Sequence, residues 1–93
     1  MVTITPYERL VDALSLANDS VYGLQQSLFT RDLGTLARAI EEGRAGSLIV
    51  NDAALRVEQM PYGGTGASGT GREGPRYAIE EMTEARLLVV RTP

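Results

Sequence analysis

Three observations predict an α/β fold, built as a small βαβ parallel-sheet piece with a C-terminal helix and a free edge strand. Apolar residues recur at helical spacing in two stretches, Tyr7 to Ala17 and Leu33 to Ile40. Ser47-Leu48-Ile49-Val50-Asn51 is a nearly unbroken apolar run, as expected of a strand covered on both faces. A plausible strand at Leu24 to Thr30 and the second helix precede it within about thirty residues, the length of a βαβ unit, which should be parallel and right-handed.

The elements follow in order. Thr5-Pro6-Tyr7-Glu8 has the form of a helix start, with Thr5 as cap, Pro6 at the first helical position and Glu8 completing a capping box. Tyr7, Leu10, Val11, Leu14 and Ala17 then form one stripe, and Asn18-Asp19-Ser20 with Gly23 end the helix. Arg31-Asp32 makes the next corner, with Asp32 as N-cap. Leu33, Leu36, Ala37 and Ile40 repeat at i, i+3, i+4, i+7, and Gly43 stops that helix. Pro75 opens a third helix carrying Tyr77, Ala78, Ile79 and Met82, ended by Thr83-Glu84. Ala85 to Arg91 reads as a last strand with no neighbour within the chain, and such an apolar edge invites pairing with another chain. The organisation is thus a main segment, 1–84, and a terminal strand, 85–93.

Composition bounds the function. Ninety-three residues allow one domain at most, with a small core. A net charge of −3 and the lack of any Lys or Arg cluster argue against nucleic acid or an anionic membrane as partner. Cysteine and histidine are both absent, which removes disulfides, a thiol nucleophile and the commonest base and metal ligand. No apolar run reaches membrane-spanning length and no signal peptide is legible, so a cytoplasmic setting is expected.

Between Asn51 and Pro75 lies a long loop, and six of the ten glycines fall within Met60 to Gly74. Loops of that length usually work or pack. Gly64, Gly66 and Gly69, then Gly69, Gly71 and Gly74, match a dinucleotide-binding spacing twice. That fingerprint should follow a strand directly and lie inside a longer βαβ unit. Nearly a dozen residues separate Val50 from the glycines, so a structural loop is the better reading and no cofactor site is expected in this chain. Asn51, at a strand's C-terminal end, suits either a ligand site or a turn.

Pro61-Tyr62-Gly63-Gly64, Ser68-Gly69, Gly71-Arg72-Glu73, Leu16-Ala17-Asn18-Asp19, Tyr22-Gly23-Leu24, Phe29-Thr30 with Asp32, Val50-Asn51 and Thr83-Glu84 occur in an order that resembles the C-terminal end of an aldehyde dehydrogenase. Within that superfamily, Arg56 to Tyr62 and Glu73 to Glu84 are similar to the lactaldehyde, phosphonoacetaldehyde and non-phosphorylating glyceraldehyde-3-phosphate dehydrogenase branch. The resemblance implies a piece of the catalytic domain of an enzyme that oxidises an aldehyde with NAD or NADP through a cysteine thiolate. Nucleophile, catalytic glutamate and cofactor domain would then lie upstream, and the chain alone should be inactive.

Residue roles follow from the same resemblance. Tyr62 and Arg56 match substrate-pocket positions, where the arginine could hold an anionic group, and Glu73 matches an acidic residue implicated in proton relay. Gly63, Gly64, Ser68, Gly69 and Gly71 match the structural loop, although Gly66 stands where the family commonly has lysine. Arg72 and Glu84 match a pair bracing the dimer interface, and Leu87 and Val89 lie in the strand that would join a homo-oligomer. The alternative is a stand-alone, self-associating module without enzymatic activity. A third reading, a small nucleotide-binding protein, rests on the glycine spacing alone.

Overall fold

The computed structural model describes all 93 residues, Met1–Pro93. Its elements are α1 (Leu10–Asn18), β1 (Tyr22–Gly23), β2 (Gln25–Leu28), α2 (Leu33–Glu42), β3 (Ser47–Val50), β4 (Thr65–Gly66) and α3 (Pro75–Met82). β2 and β3 pair in parallel, from Gln25 opposite Ser47 to Leu28 opposite Val50, with α2 as the connection. β1 pairs antiparallel with β4, which anchors the glycine loop on the segment that precedes β2.

Local chemistry explains most boundaries. Asp32 caps α2, its carboxylate accepting from the Thr35 amide at 2.6 Å, and the Gly43 amide closes the other end on the Ala39 carbonyl. Pro75 sits in the first turn of α3, and the Thr83 hydroxyl ends that helix by donating to the Ile79 carbonyl. The first helix departs from expectation. It starts at Leu10, not after Thr5, and its N-cap Arg9 makes no side-chain capping bond. A capping box cannot hold a turn whose apolar face meets nothing, because burial of that face supplies most of a helix's stability. Tyr7 has no such cover and is exposed.

The stripe expected to bury α2 also lies elsewhere. Leu33, Ala37 and Ile40 face outward, and the helix instead buries Ala39, flanked by half-buried Thr35 and Leu36. The small side chain at Ala39 is turned inward, while the larger Leu33 and Ile40 are exposed. Gly23, expected as a turn residue, is part of β1. A Cβ there would collide with the Thr65 hydroxyl and the Arg44 carbonyl, so only glycine allows this strand to pass so near.

Two asparagines tie the pieces together. Asn18 donates to the Glu42 carbonyl at 2.8 Å and accepts from the Arg44 amide at 3.0 Å, joining the C-terminal ends of α1 and α2. Asn51 adopts a left-handed φ of 58° and grips the backbone of Thr30, accepting from its amide at 2.8 Å and donating to its carbonyl at 2.9 Å. Of the two readings open for Asn51, the turn is the one seen, and both of its amide groups are engaged by Thr30.

Little of the chain is buried. Leu14 and Ala39 are the only buried hydrophobic side chains, and Gly63 and Gly64 the only other buried residues. The accessible surface is 8046 Å², about 2,800 Å² above the ~5,200 Å² that the scaling law gives for a folded monomer of 10.0 kDa. Residues 85–93 contribute to that excess. They make no backbone hydrogen bond within the chain, so the expected last strand has no ladder here, and Leu87, Leu88, Val89 and Val90 are 74–87 % exposed.

Two outcomes test these assignments. Asn51→Ala loses both bonds to Thr30 and places a Cβ-bearing residue without local side-chain bonds at positive φ, so urea unfolding should show a loss of about 2 kcal/mol. Asn51→Gly, which keeps the conformation, should lose about half as much. The second outcome concerns acid. The Thr35 amide holds the Asp32 carboxyl below its usual range. A depressed folded-state pKa contributes stability that is present above the unfolded value of about 3.9 and lost as pH falls through the folded one. Helix α2 should therefore fray in that acid window, and Asp32→Ala should abolish this step in a circular-dichroism titration.

Candidate functional site

The glycine loop is closed by hydrogen bonds between its own ends. Tyr62 and Glu73 form a two-way backbone bridge, the Glu73 amide donating to the Tyr62 carbonyl at 2.6 Å and the Tyr62 amide to the Glu73 carbonyl at 3.2 Å. The Ser68 hydroxyl accepts from the Gly23 amide at 3.0 Å, and the Thr65 hydroxyl donates to the Arg44 carbonyl at 2.6 Å, so the loop is fixed on β1 and on the turn before β3. Gly63 and Gly64 are closely covered where a Cβ would sit, by the Gly71 carbonyl at the first and by the Ser68 Cβ at the second. Gly69 has φ +89°, a conformation that favours glycine, with open space around it.

Arg72 shapes this loop from inside. Its Nη1 donates to the carbonyls of Gly64 at 2.8 Å, Gly71 at 2.9 Å and Thr70 at 3.1 Å. The loop thus turns carbonyls toward a cation. Three of its amides are used locally, Ala67 on Val21, Ser68 on Thr65 and Gly69 on Gly66. A phosphate cradle requires the reverse, with amides free and converging. At Ala67 to Gly69 the loop therefore presents no such cradle. No group of three or more His, Cys, Asp or Glu could hold a metal ion.

The three residues singled out for chemistry meet at the loop's mouth. Arg56 directs Nε and Nη2 at one carboxylate oxygen of Glu73, at 2.9 and 2.6 Å. Its guanidinium carbon also lies 5.9 Å from the centre of the Tyr62 ring, at the outer reach of a cation–π contact. The Met60 amide closes a turn on the Val57 carbonyl, and Gln25 donates to the Leu55 carbonyl at 2.8 Å, which sets the stem that carries Arg56. Tyr62, Arg72 and Glu73 border a cavity of about 300 Å³ whose floor is Gly63 and Gly64.

The remaining sites are dispersed. Glu84 is exposed and forms no ion pair, and Arg72, its expected interface partner, is occupied by the loop carbonyls. Leu87 and Val89 extend into solvent. Sequence reasoning missed the joining role of Asn18 and the β1–β4 ladder. Side-chain clamps have no periodicity, and a two-residue strand leaves no pattern; the one available signal was the polar run Asn18-Asp19-Ser20 at a helix end.

The aldehyde dehydrogenase family profile matches residues 1–88. The chain belongs to that family. It is 54% identical over 90 residues to a 3-sulfolactaldehyde dehydrogenase of Priestia aryabhattai, covering 96% of this chain and 19% of that protein. To a lactaldehyde dehydrogenase of Methanococcus maripaludis it is 39% identical over 80 residues, covering 85% of this chain and 17% of the other. Among solved structures, it superimposes on aldehyde dehydrogenase 21 of Physcomitrella patens, crystallised with the reaction product succinate, with a TM-score of 0.83 and 43% identity, over 91% of this chain and 18% of that one. This aldehyde dehydrogenase chain therefore spans less than a fifth of the length of these relatives.

Arg72 gives the sharpest local test. Removing it leaves three carbonyls of the loop without their shared donor. In Arg72→Ala the amides of Ala67 to Gly69 should exchange at least about tenfold faster, as expected for loss of roughly 1.4 kcal/mol or more of local stability. Lysine, a point charge without the planar fork, should restore only part of the protection.

Proposed function

We propose that these 93 residues form the C-terminal portion of an NAD(P)-dependent aldehyde dehydrogenase of the lactaldehyde-type branch, supplying walls of the substrate pocket and part of the subunit interface. The observation that carries this reading is the convergence of Arg56, Tyr62 and Glu73 at one loop mouth, in a chain 54% identical to a 3-sulfolactaldehyde dehydrogenase. The aldehyde is one that bears an anionic group, held by the Arg56 fork through charge-assisted hydrogen bonds. Tyr62 lines the pocket beside it, and Glu73 stands at the position suited to proton relay. The nucleophilic thiolate, the residue that activates water and the NAD(P) site belong to the rest of the enzyme, in the cytoplasm.

Physical size supports incompleteness. An excess of about 2,800 Å² of surface lies within the range of large obligate interfaces, roughly 2,000–5,000 Å². Much of it is apolar: the Leu33–Ile40 face of α2, and a trough of about 390 Å³ between α1 and β2 lined by Leu10, Leu28 and Phe29. The remainder of the enzyme covers these surfaces, and Ala85 to Arg91 adds as a strand to a sheet shared with a second subunit, with Glu84 reaching the unused donors of Arg72.

A second reading, a self-associating module without activity, draws on the same exposed Leu87–Val90 segment. Two measurements on the purified chain separate the readings. Incubated with an anionic aldehyde and NAD or NADP, it should give no NAD(P)H above buffer; turnover without a cysteine would overturn the assignment. In sedimentation velocity it should associate heterogeneously through its apolar faces. A discrete dimer or tetramer, stable on dilution, would favour the module instead.

A further inference from the structure

Arg56 is the residue through which the proposed pocket would hold an anion, yet it is already engaged. Both donors along one edge of its fork, Nε and Nη2, point at Glu73 Oε2. That edge is the one a planar or tetrahedral oxyanion uses for two-point recognition. The guanidinium lies over the Tyr62 ring, its carbon 5.9 Å from the ring centre. Glu73 is not free to drift away, because its backbone is bridged in both directions to that same Tyr62. The arginine and its carboxylate partner are thus held by one short piece of backbone, and the charge they present together is zero.

We propose that Glu73 is an internal competitor for the anion site at Arg56: its carboxylate occupies the guanidinium edge until the anionic group of an incoming ligand displaces it. This rests on the reading of Arg56 as the anion-holding residue and adds what regulates it. The exchange is between like partners, oxyanion for carboxylate, so the cation is never left unpaired. It sets a threshold of specificity. A neutral aldehyde offers nothing to replace Glu73 and meets a closed, uncharged rim. A singly charged oxyanion, carboxylate or sulfonate, replaces it at little net gain, and a doubly charged phosphonate-like group gains most. The pair is half exposed, with side-chain exposures of 48% and 61%, so the competition is modest and readily reversed.

The test is a titration of the 93-residue chain with methanesulfonate, followed by the Tyr62 backbone amide resonance, which every variant retains and which is bridged to Glu73, and checked for fold by the Thr30 amide, which reports the distant Asn51 clamp. Glu73→Gln keeps the backbone bridge and the side-chain shape while removing the competing charge. It should tighten methanesulfonate binding by about two- to fivefold, the equilibrium worth of an exposed ion pair. Arg56→Gln should abolish binding. Glu73→Asp, whose shorter arm carries the charge away from Nε, should fall between the parent and the glutamine variant. Loss of binding in Arg56→Gln with no gain in Glu73→Gln would overturn the competitor and leave Arg56 as the anion site. Binding indifferent to both substitutions would overturn the anion site itself, and the competitor with it.

Discussion

The constraint on which this structure depends is that it has almost nothing to bury. With Leu14 and Ala39 as its entire hydrophobic core, the chain gains ~3 kcal/mol from buried apolar side chains, against an ordering cost of roughly 1–2 kcal/mol for each residue fixed. Its shape is therefore defined by directional bonds. There are 35 backbone hydrogen bonds, about half the ~65 that a self-sufficient domain of this length would form. The deficit falls in the first nine residues, the stretch after Asn51 and the last nine. Where the chain is well defined, a side chain is gripping backbone: Asn18 on Glu42 and Arg44, Asn51 on Thr30, Thr65 on Arg44, Arg72 on the glycine loop. With a radius of gyration of 18.7 Å, against about 12 Å for a compact domain of 93 residues, the molecule is far more extended than a chain closed around a core.

That constraint also decides what could be read in advance. Caps and stops were legible because they are local: Asp32, Gly43, Pro75 and Thr83 each act within four residues of themselves. The nearly all-apolar run at β3 was legible as a strand from its composition, but the cover expected on both faces is not found: Ser47 to Ile49 are half-buried and Val50 is exposed. The orientation of α2 was not. Its stripe of Leu33, Leu36, Ala37 and Ile40 is an amphipathic pattern, but of these only Leu36 is half-buried, and within the chain the helix turns Ala39 inward. The start of α1 failed in the same way, since the capping box at Thr5 to Glu8 was sound chemistry with no core beneath it. Ala85 to Arg91 has the composition of a strand and no partner, and a strand is a property of two backbones.

The loop was legible in its irregularity and not in its polarity. Glycine spacing alone cannot distinguish a turn that offers amides to a phosphate from one that offers carbonyls to a cation, because both need close backbone approach and positive φ. The distinguishing residue is Arg72, and what separates the two cases is that a planar, permanently charged donor fork can satisfy several carbonyls at once. Arg56, Tyr62 and Glu73 are separated by six and eleven positions in sequence, which has no periodic meaning. Their proximity is created by the loop's closure.

The chain contains no lysine, and both arginines at the loop show why that matters. At position 72 one nitrogen serves three carbonyls, and at position 56 two nitrogens converge on one carboxylate oxygen while the flat face lies toward an aromatic ring. An ammonium group could be close to either set of acceptors but has no planar face or fork to fix a direction. Direction is what a nearly coreless segment lacks, since packing cannot supply it. The glycines let the backbone come close, and the two guanidinium groups then set its orientation. One is spent on the loop itself, and the other stands at the rim with its charge balanced by a neighbour. A site formed in this way carries its geometry in a few hydrogen bonds within the loop.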